Sequence, residues 1–270
     1  VGLVAPHIDP WRGARCYGEA YGALAASLPD DADTFILLGT SHAPMREPFA
    51  LCRKAFATPL GPMEADFDAI DEIATACDFD PYADQFNHKR EHSLEFQAVF
   101  LRHMLSQASA NGAQNGARAK RARIIPILAG LGEHQQSGKS PATSKTINRF
   151  VDALRGVIDK KRAIVIAGAD LAHVGPRFGD PRPFDEKERA KLDATDRDSL
   201  ARAAQVDAEA FWEHVSNDLD TRRVCGLAPV YSLLRAIDAS AQGEVRHYEQ
   251  TVDPEEGSIV SHAAVGFYAR

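Results

Sequence analysis

No long hydrophobic run is present: no apolar stretch reaches the roughly 18 residues that a helix needs to cross a bilayer, so no membrane span is expected. A basic surplus is also missing. There are 31 Lys+Arg against 38 Asp+Glu and a formal net charge of −7. That argues against a nucleic-acid-binding face, which needs clustered positive charge. The one basic cluster, "ARAKRAR" at 117–123, sits in a polar Ala/Gly/Asn-rich stretch and reads as a solvated loop. Cysteine is scarce. Cys16, Cys52, Cys77 and Cys225 are scattered without C-x-x-C spacing. This argues against a zinc knuckle or a disulfide framework, and for a reducing cytoplasm. No signal peptide is recognisable. The chain opens without Met, directly in an apolar strand, and so reads as trimmed at its front.

What is present suffices for a large core. The chain has 270 residues, 44% of them hydrophobic, enough for one large α/β domain or two small ones. Apolar runs bounded by turn residues predict buried strands at 1–5, 34–39, 124–129 and 163–167, with two more at 245–250 and 262–269. Helical patterns cover 14–28, 64–76, 93–105, 144–159, 185–203, 207–216 and 226–239. In "SLEFQAVFLRHML", Leu94, Ala98, Leu101 and Leu105 form one stripe. Residues 106–121 and 132–145 lack periodicity and read as surface loops. Strands alternating with helices predict an α/β fold: a central, mostly parallel sheet flanked by helices. No repeat or linker divides the chain, so 1–270 is expected to be a single domain.

Three apolar segments each deliver a histidine just past their ends: "VGLVAPHIDP" (His7), "LLGTSHAP" (His42) and "AIVIAGADLAHVG" (His173, with Asp170). Ligands of open α/β sheets bind beyond the carboxyl ends of the strands. If these strands are parallel neighbours, the three histidines converge on one edge. Two or three histidines with an acid or a thiolate is metal-ligand chemistry. Neutral imidazole binds iron, copper or zinc, and a thiolate shifts the preference towards copper, zinc or thiolate-bound iron. Asp9, two residues beyond His7, is a candidate to orient the ring.

Cys225 lies in "DTRRVCGLAPVYSLL", at or just before a helix start. The helix N-terminus together with Arg222 and Arg223 is expected to favour its thiolate. In "HKREHSLEFQ", Glu91, His92 and Glu95 cluster where a helix begins. Carboxylates there suit the helix dipole, and Glu91 and His92 are also placed to reach the crevice. His88, His103, His134, His214 and His247 carry no supporting context and read as surface or structural. His262, which opens the last strand, stays open as a site residue.

The segments "APHID", "LLGTSH", "EHSLEFQAVFL", "ADLAH" and "VCGLAP", in this order, resemble the Memo family, some of whose bacterial members are known as AmmeMemoRadiSam system protein B. The match runs from residue 1 to the last strand, without the N-terminal segment that usually precedes the "APH" strand. The resemblance implies the fold of the B-type catalytic subunits of class III extradiol ring-cleaving dioxygenases. Those enzymes hold non-haem Fe(II) with two histidines and a glutamate, and use a further histidine as acid/base. By resemblance, His7 and His42 are the histidine ligands, Cys225 stands in the place of the carboxylate, and His173 is the acid/base.

The expectation is therefore a metal-dependent redox protein. Non-haem Fe(II) or copper would sit on His7, His42 and Cys225 at an open site, with Asp170, His173 and His92 as the reactive lining. Its partner would be a small-molecule substrate, with no nucleic acid and no membrane, and an oligomer is compatible with the sequence. Two alternatives stand beside it: a binding or scaffold protein with a vestigial pocket, and a zinc hydrolase, since His₂Cys with water is a catalytic zinc arrangement.

Overall fold

The computed structural model describes residues 2–110, 120–217 and 221–269. The chain begins with β1 (Gly2–Ala5), α1 (Ala14–Ser27), β2 (Thr34–Thr40), β3 (Phe49–Leu51), β4 (Glu64–Ala65), α2 (Phe67–Ala76) and α3 (Ser93–Ala110). There follow β5 (Arg123–Ala129), α4 (Gly132–Ser137), α5 (Lys145–Lys161), β6 (Ile164–Gly168) and β7 (Asp170–Val174). The last elements are α6 (Glu186–Ala204), α7 (Ala208–Ser216), α8 (Leu227–Ala236), β8 (Gln242–Val252) and β9 (Ile259–Tyr268).

The strands form one mixed sheet in the order β3-β5-β2-β6-β1-β9-β7, with β4 beside β5 and β8 beside β9. Its centre, β5-β2-β6-β1, is parallel. β9 runs antiparallel to β1, β7 and β8. Helices cover both faces of the parallel centre, so each of its strands is apolar on both sides. Leu3, Phe35, Leu37 and Ile166 face one layer with the α1 and α3 side chains. Val4, Ile36, Leu38 and Val165 face the other, with α2, α5, α7 and α8. The expected stripe of Leu94, Ala98, Leu101 and Leu105 is buried in the first layer.

Several expectations are corrected. The "loop" at 106–121 is helical as far as Ala110. Its middle, 111–119, lies outside the described residues, and with it the first three residues of "ARAKRAR". The rest of that cluster is not free loop, since Arg121 pairs with Asp33 and Arg123 opens β5. The "loop" at 132–145 contains α4 and a 3₁₀ turn over Pro141–Thr143; the Ser140 side chain caps the turn and Ser144 caps the start of α5. The helix expected from residue 64 begins at Phe67: Asp66 accepts from the Ala69 N–H, and Glu64 and Ala65 pair with β5 instead. β3 and β7 were not expected as strands. "DLAHV" reads as a turn, yet it pairs with β9 through an irregular register between Asp170 and His173.

Candidate metal centre

β1, β2 and β6 end on the same edge of the sheet because they are parallel and in register: Ala5 pairs with Gly168, and Gly39 also pairs with Gly168. His7 and His42 each follow their strand by two residues. His173 arrives differently. It projects from β7, held by its backbone N–H, which donates to the Arg222 carbonyl at 2.7 Å. Cys225 precedes α8, and Gly226 lets it do so. A Cβ on Gly226 would lie 2.4 Å from the Asp170 carbonyl oxygen, which instead accepts the Gly226 N–H at 3.0 Å.

Ligand atoms of His7, His42 and Cys225 all lie within 4.8 Å of one another, so this group could hold a metal ion. Cys225 Sγ is 3.3 Å from His7 Nε2. The His7 and His42 rings meet edge to face with centroids 5.2 Å apart. Each histidine has its other nitrogen committed. His7 Nδ1 lies 3.0 Å from the Gly168 carbonyl, which can only accept, so Nδ1 carries the proton and Nε2 is bare. Gly168 is required here, since a Cβ would meet the Ser93 carbonyl at 2.3 Å. His42 Nδ1 lies 3.0 Å from Glu91 Oε2.

Glu91 is buried. Burial alone would raise its carboxyl, but hydrogen bonds from the His42 ring and backbone and from the Ser93 N–H outweigh that and bring it down to about 2. The same bond raises the His42 ring above its ordinary value, against desolvation. His42, Glu91 and His92 also qualify by distance as a metal group. The Glu91 oxygens are already committed to the His42 and Ser93 donors, so Glu91 orients a ligand rather than serving as one.

Asp170 is buried and accepts the His7 backbone N–H at 2.9 Å. His92 stands 5.4 Å from the His7 ring and 5.3 Å from the His42 ring. Partial burial holds it below the usual histidine range. His173 is likewise held low by burial, and its Nδ1 faces the Leu171 carbonyl at 3.2 Å. His7, His42, His92, Asp170, His173 and Cys225 all line one cavity of about 580 Å³, and Glu91 stands behind it.

Two electrostatic expectations fail. The Cys225 thiol is pushed well above its ordinary value by burial and by the Asp170 carboxylate. The arginines expected to favour the thiolate face other partners: Arg222 binds Asp196 and Arg223 binds Asp180. Asp9 does not orient His7. It pairs with Arg12, and the Gly168 carbonyl takes the orienting role. That carbonyl carries no sequence signal. Glu95 is exposed on α3 and does not line the cavity. His262 does not line the cavity, but it hydrogen-bonds Thr251, which does.

An α/β sheet that gathers two histidines and a cysteine at metal-ligand spacing beyond its parallel strand ends defines a metal-capable pocket protein. The chain belongs to the Memo-like protein family, whose sequence profile matches residues 1–266. It is 25% identical over 270 residues to a MEMO1 family protein of Aquifex aeolicus, covering 99% of this chain and 63% of the relative. It is 28% identical over 235 residues to one of Thermus thermophilus, covering 86% and 61%. A Methanosarcina mazei MEMO1 family protein is 24% identical, covering 98% of this chain and 85% of its own length. The chain thus spans about three-fifths of the first two relatives. A solved structure, that of the uncharacterized protein JW3007 from Escherichia coli K12, shares the fold with a TM-score of 0.50 at 12% identity, covering 98% of each chain. Among the described residues no helix is long and apolar enough to cross a membrane.

Proposed function

We propose that this chain is a metal-dependent redox protein that holds iron or copper on His7, His42 and Cys225. The observation that carries the reading is the donor set itself. Two bare imidazole nitrogens and a sulfur lie within 4.8 Å of one another, and each ring is fixed from behind by an acceptor. Imidazole with thiolate suits iron, copper and zinc. A bound iron or copper ion would supply one-electron chemistry and an open coordination position.

The remaining roles fall to the chain. His7 and His42 present Nε2, because their Nδ1 atoms are occupied. Asp170 holds the His7 backbone and places negative charge beside the group. His173, neutral through burial, accepts or returns a proton at Nε2, since its Nδ1 faces the Leu171 carbonyl. His92 narrows the cavity beside the two ligand histidines. Phe96, Phe178 and Ile8 give the small-molecule substrate an apolar wall. The same donors suit a catalytic zinc, which makes hydrolysis the second reading.

The test is elemental analysis of protein purified anaerobically, with oxygen uptake measured on catechols and reductants. Stoichiometric iron or copper in the wild type, absent from His42→Ala and retained in His173→Ala, supports the proposal. Zinc would favour the hydrolase. Equal metal in wild type and in the His7→Ala, His42→Ala and Cys225→Ala variants would make these residues structural.

A further inference from the structure

Two hydroxyls at the β8–β9 end of the cavity have no role in the proposal above. Thr251 and Ser258 both line it. Behind Thr251 lies His262, which is fully buried. Its Nε2 is 2.9 Å from Thr251 Oγ1, while its Nδ1 is buried with no hydrogen-bond partner among the described residues.

This asymmetry fixes the tautomer. A buried N–H without an acceptor is rarer in folded proteins than a bare acceptor, so the proton sits on Nε2 and Nδ1 is left bare. Burial holds the ring below the ordinary histidine range, which keeps a second proton off. Nε2–H therefore donates to Thr251 Oγ1. A hydroxyl has one proton and two lone pairs. With a lone pair taken by His262, the Thr251 proton is left to be donated, and Thr251 lines the cavity. Ser258 repeats the arrangement: its Oγ accepts the Arg177 backbone N–H at 2.9 Å, which leaves its own proton to be donated.

Charge does not decide what these donors meet. The three arginines lining the cavity each face an aspartate: Arg12 with Asp9, Arg177 with Asp253 and Arg223 with Asp180. Selection at this end works by hydrogen-bond polarity.

We propose that His262 is a positioning residue that fixes Thr251 as a donor to the ligand, so that this cavity takes a small molecule bearing a carbonyl or carboxylate oxygen on an apolar body. The inference rests on the cavity being the ligand site, as proposed above, but not on a metal being present.

The test has two arms, each run with and without added Zn(II). Two-bond ¹H–¹⁵N spectra of histidine-labelled protein read the tautomer, and His262 is expected in the Nε2–H form. Acetophenone, which has one acceptor oxygen and no donor, is then titrated against α-methylstyrene, which has the same shape without the acceptor. Acetophenone is expected to bind about fivefold more tightly, the size of one neutral hydrogen bond. The preference should vanish in the near-isosteric Thr251→Val and shrink in His262→Met. His262→Gln, whose amide can donate to Thr251, should restore it. An Nδ1–H tautomer, equal affinity of the two probes in the wild type, or no binding of either overturns the proposal. Failure of the metal reading shows separately, in elemental analysis.

Discussion

A single oxygen of Glu91, Oε2, sits 3.0 Å from His42 Nδ1 and also accepts the His42 backbone N–H at 2.9 Å. Ring and backbone are thus clamped by one carboxylate, which is itself anchored by the Ser93 N–H at 3.0 Å. Groups behind a ligand histidine typically contribute 10- to 100-fold to metal affinity. Glu91→Gln keeps the shape and removes the charge, so affinity should fall by about 10- to 100-fold, with the fold intact. His42→Ala should remove binding altogether. Competition against a chromophoric chelator measures both. Wild-type affinity in Glu91→Gln would reduce the clamp to a packing contact.

Cys225→Asp puts a carboxylate beside the two histidines. On ligand hardness, Fe(II) should gain over copper relative to the wild type. Anaerobic loading with equal Fe(II) and copper, followed by elemental analysis, gives the ratio directly. A ratio that does not move would mean that Cys225 does not touch the metal.

Much of this site was legible in the sequence, for a definable reason. His7 and His42 follow strands whose apolar runs stand out, and parallel strands deliver their ends to one edge. His173 was selected by the same pattern although its local structure differs: it lies within β7 rather than in a turn. The electrostatics were not legible. Helix position and neighbouring arginines suggested a Cys225 thiolate, but side-chain direction decides that, and Asp196 and Asp180 take the two guanidinium groups. The Gly168 carbonyl that orients His7 is a backbone atom 161 residues away and leaves no trace in residue type. Short strands such as β3 and β7 exist through pairing with β5 and β9, a tertiary effect that local propensity does not carry.

Asp196 is fully buried and accepts from Arg222 at 2.7 Å, Ser261 at 2.6 Å and Tyr248 at 3.0 Å. This network backs the strand that carries His173: the Ser261 hydroxyl takes the Ala172 N–H, and the Arg222 carbonyl takes the His173 N–H. Removing one member of a buried ion pair costs about 3–5 kcal/mol. Asp196→Ala should lower the urea midpoint accordingly, with the slope unchanged. Asp196→Leu combined with Arg222→Met should recover much of the loss, because no buried charge is then left behind. A double variant no more stable than Asp196→Ala would show that the hydroxyl contacts, not the charge pair, supply the stability.

His88 gives a pH dependence with a defined sign. Its Nε2–H donates to the Ala50 carbonyl at 3.0 Å, and burial lowers the ring from 6.5 to about 4. The unfolded chain therefore binds the proton more readily than the folded one between those values. The His88 contribution to stability is fully present above pH 6.5 and is lost as the pH falls towards 4. Between pH 7 and pH 5 the loss from this one ring should be about 2 kcal/mol. Burial also holds His92, His173 and His262 low, whereas Glu91 holds His42 high and acts with the opposite sign, so the His88 share is read only by difference. His88→Gln keeps a donor for the Ala50 carbonyl without a titrating ring. Urea unfolding of both proteins at pH 7 and pH 5 isolates the difference: the variant should lose about 2 kcal/mol less than the wild type. Equal losses would mean that His88 titrates normally in the folded protein.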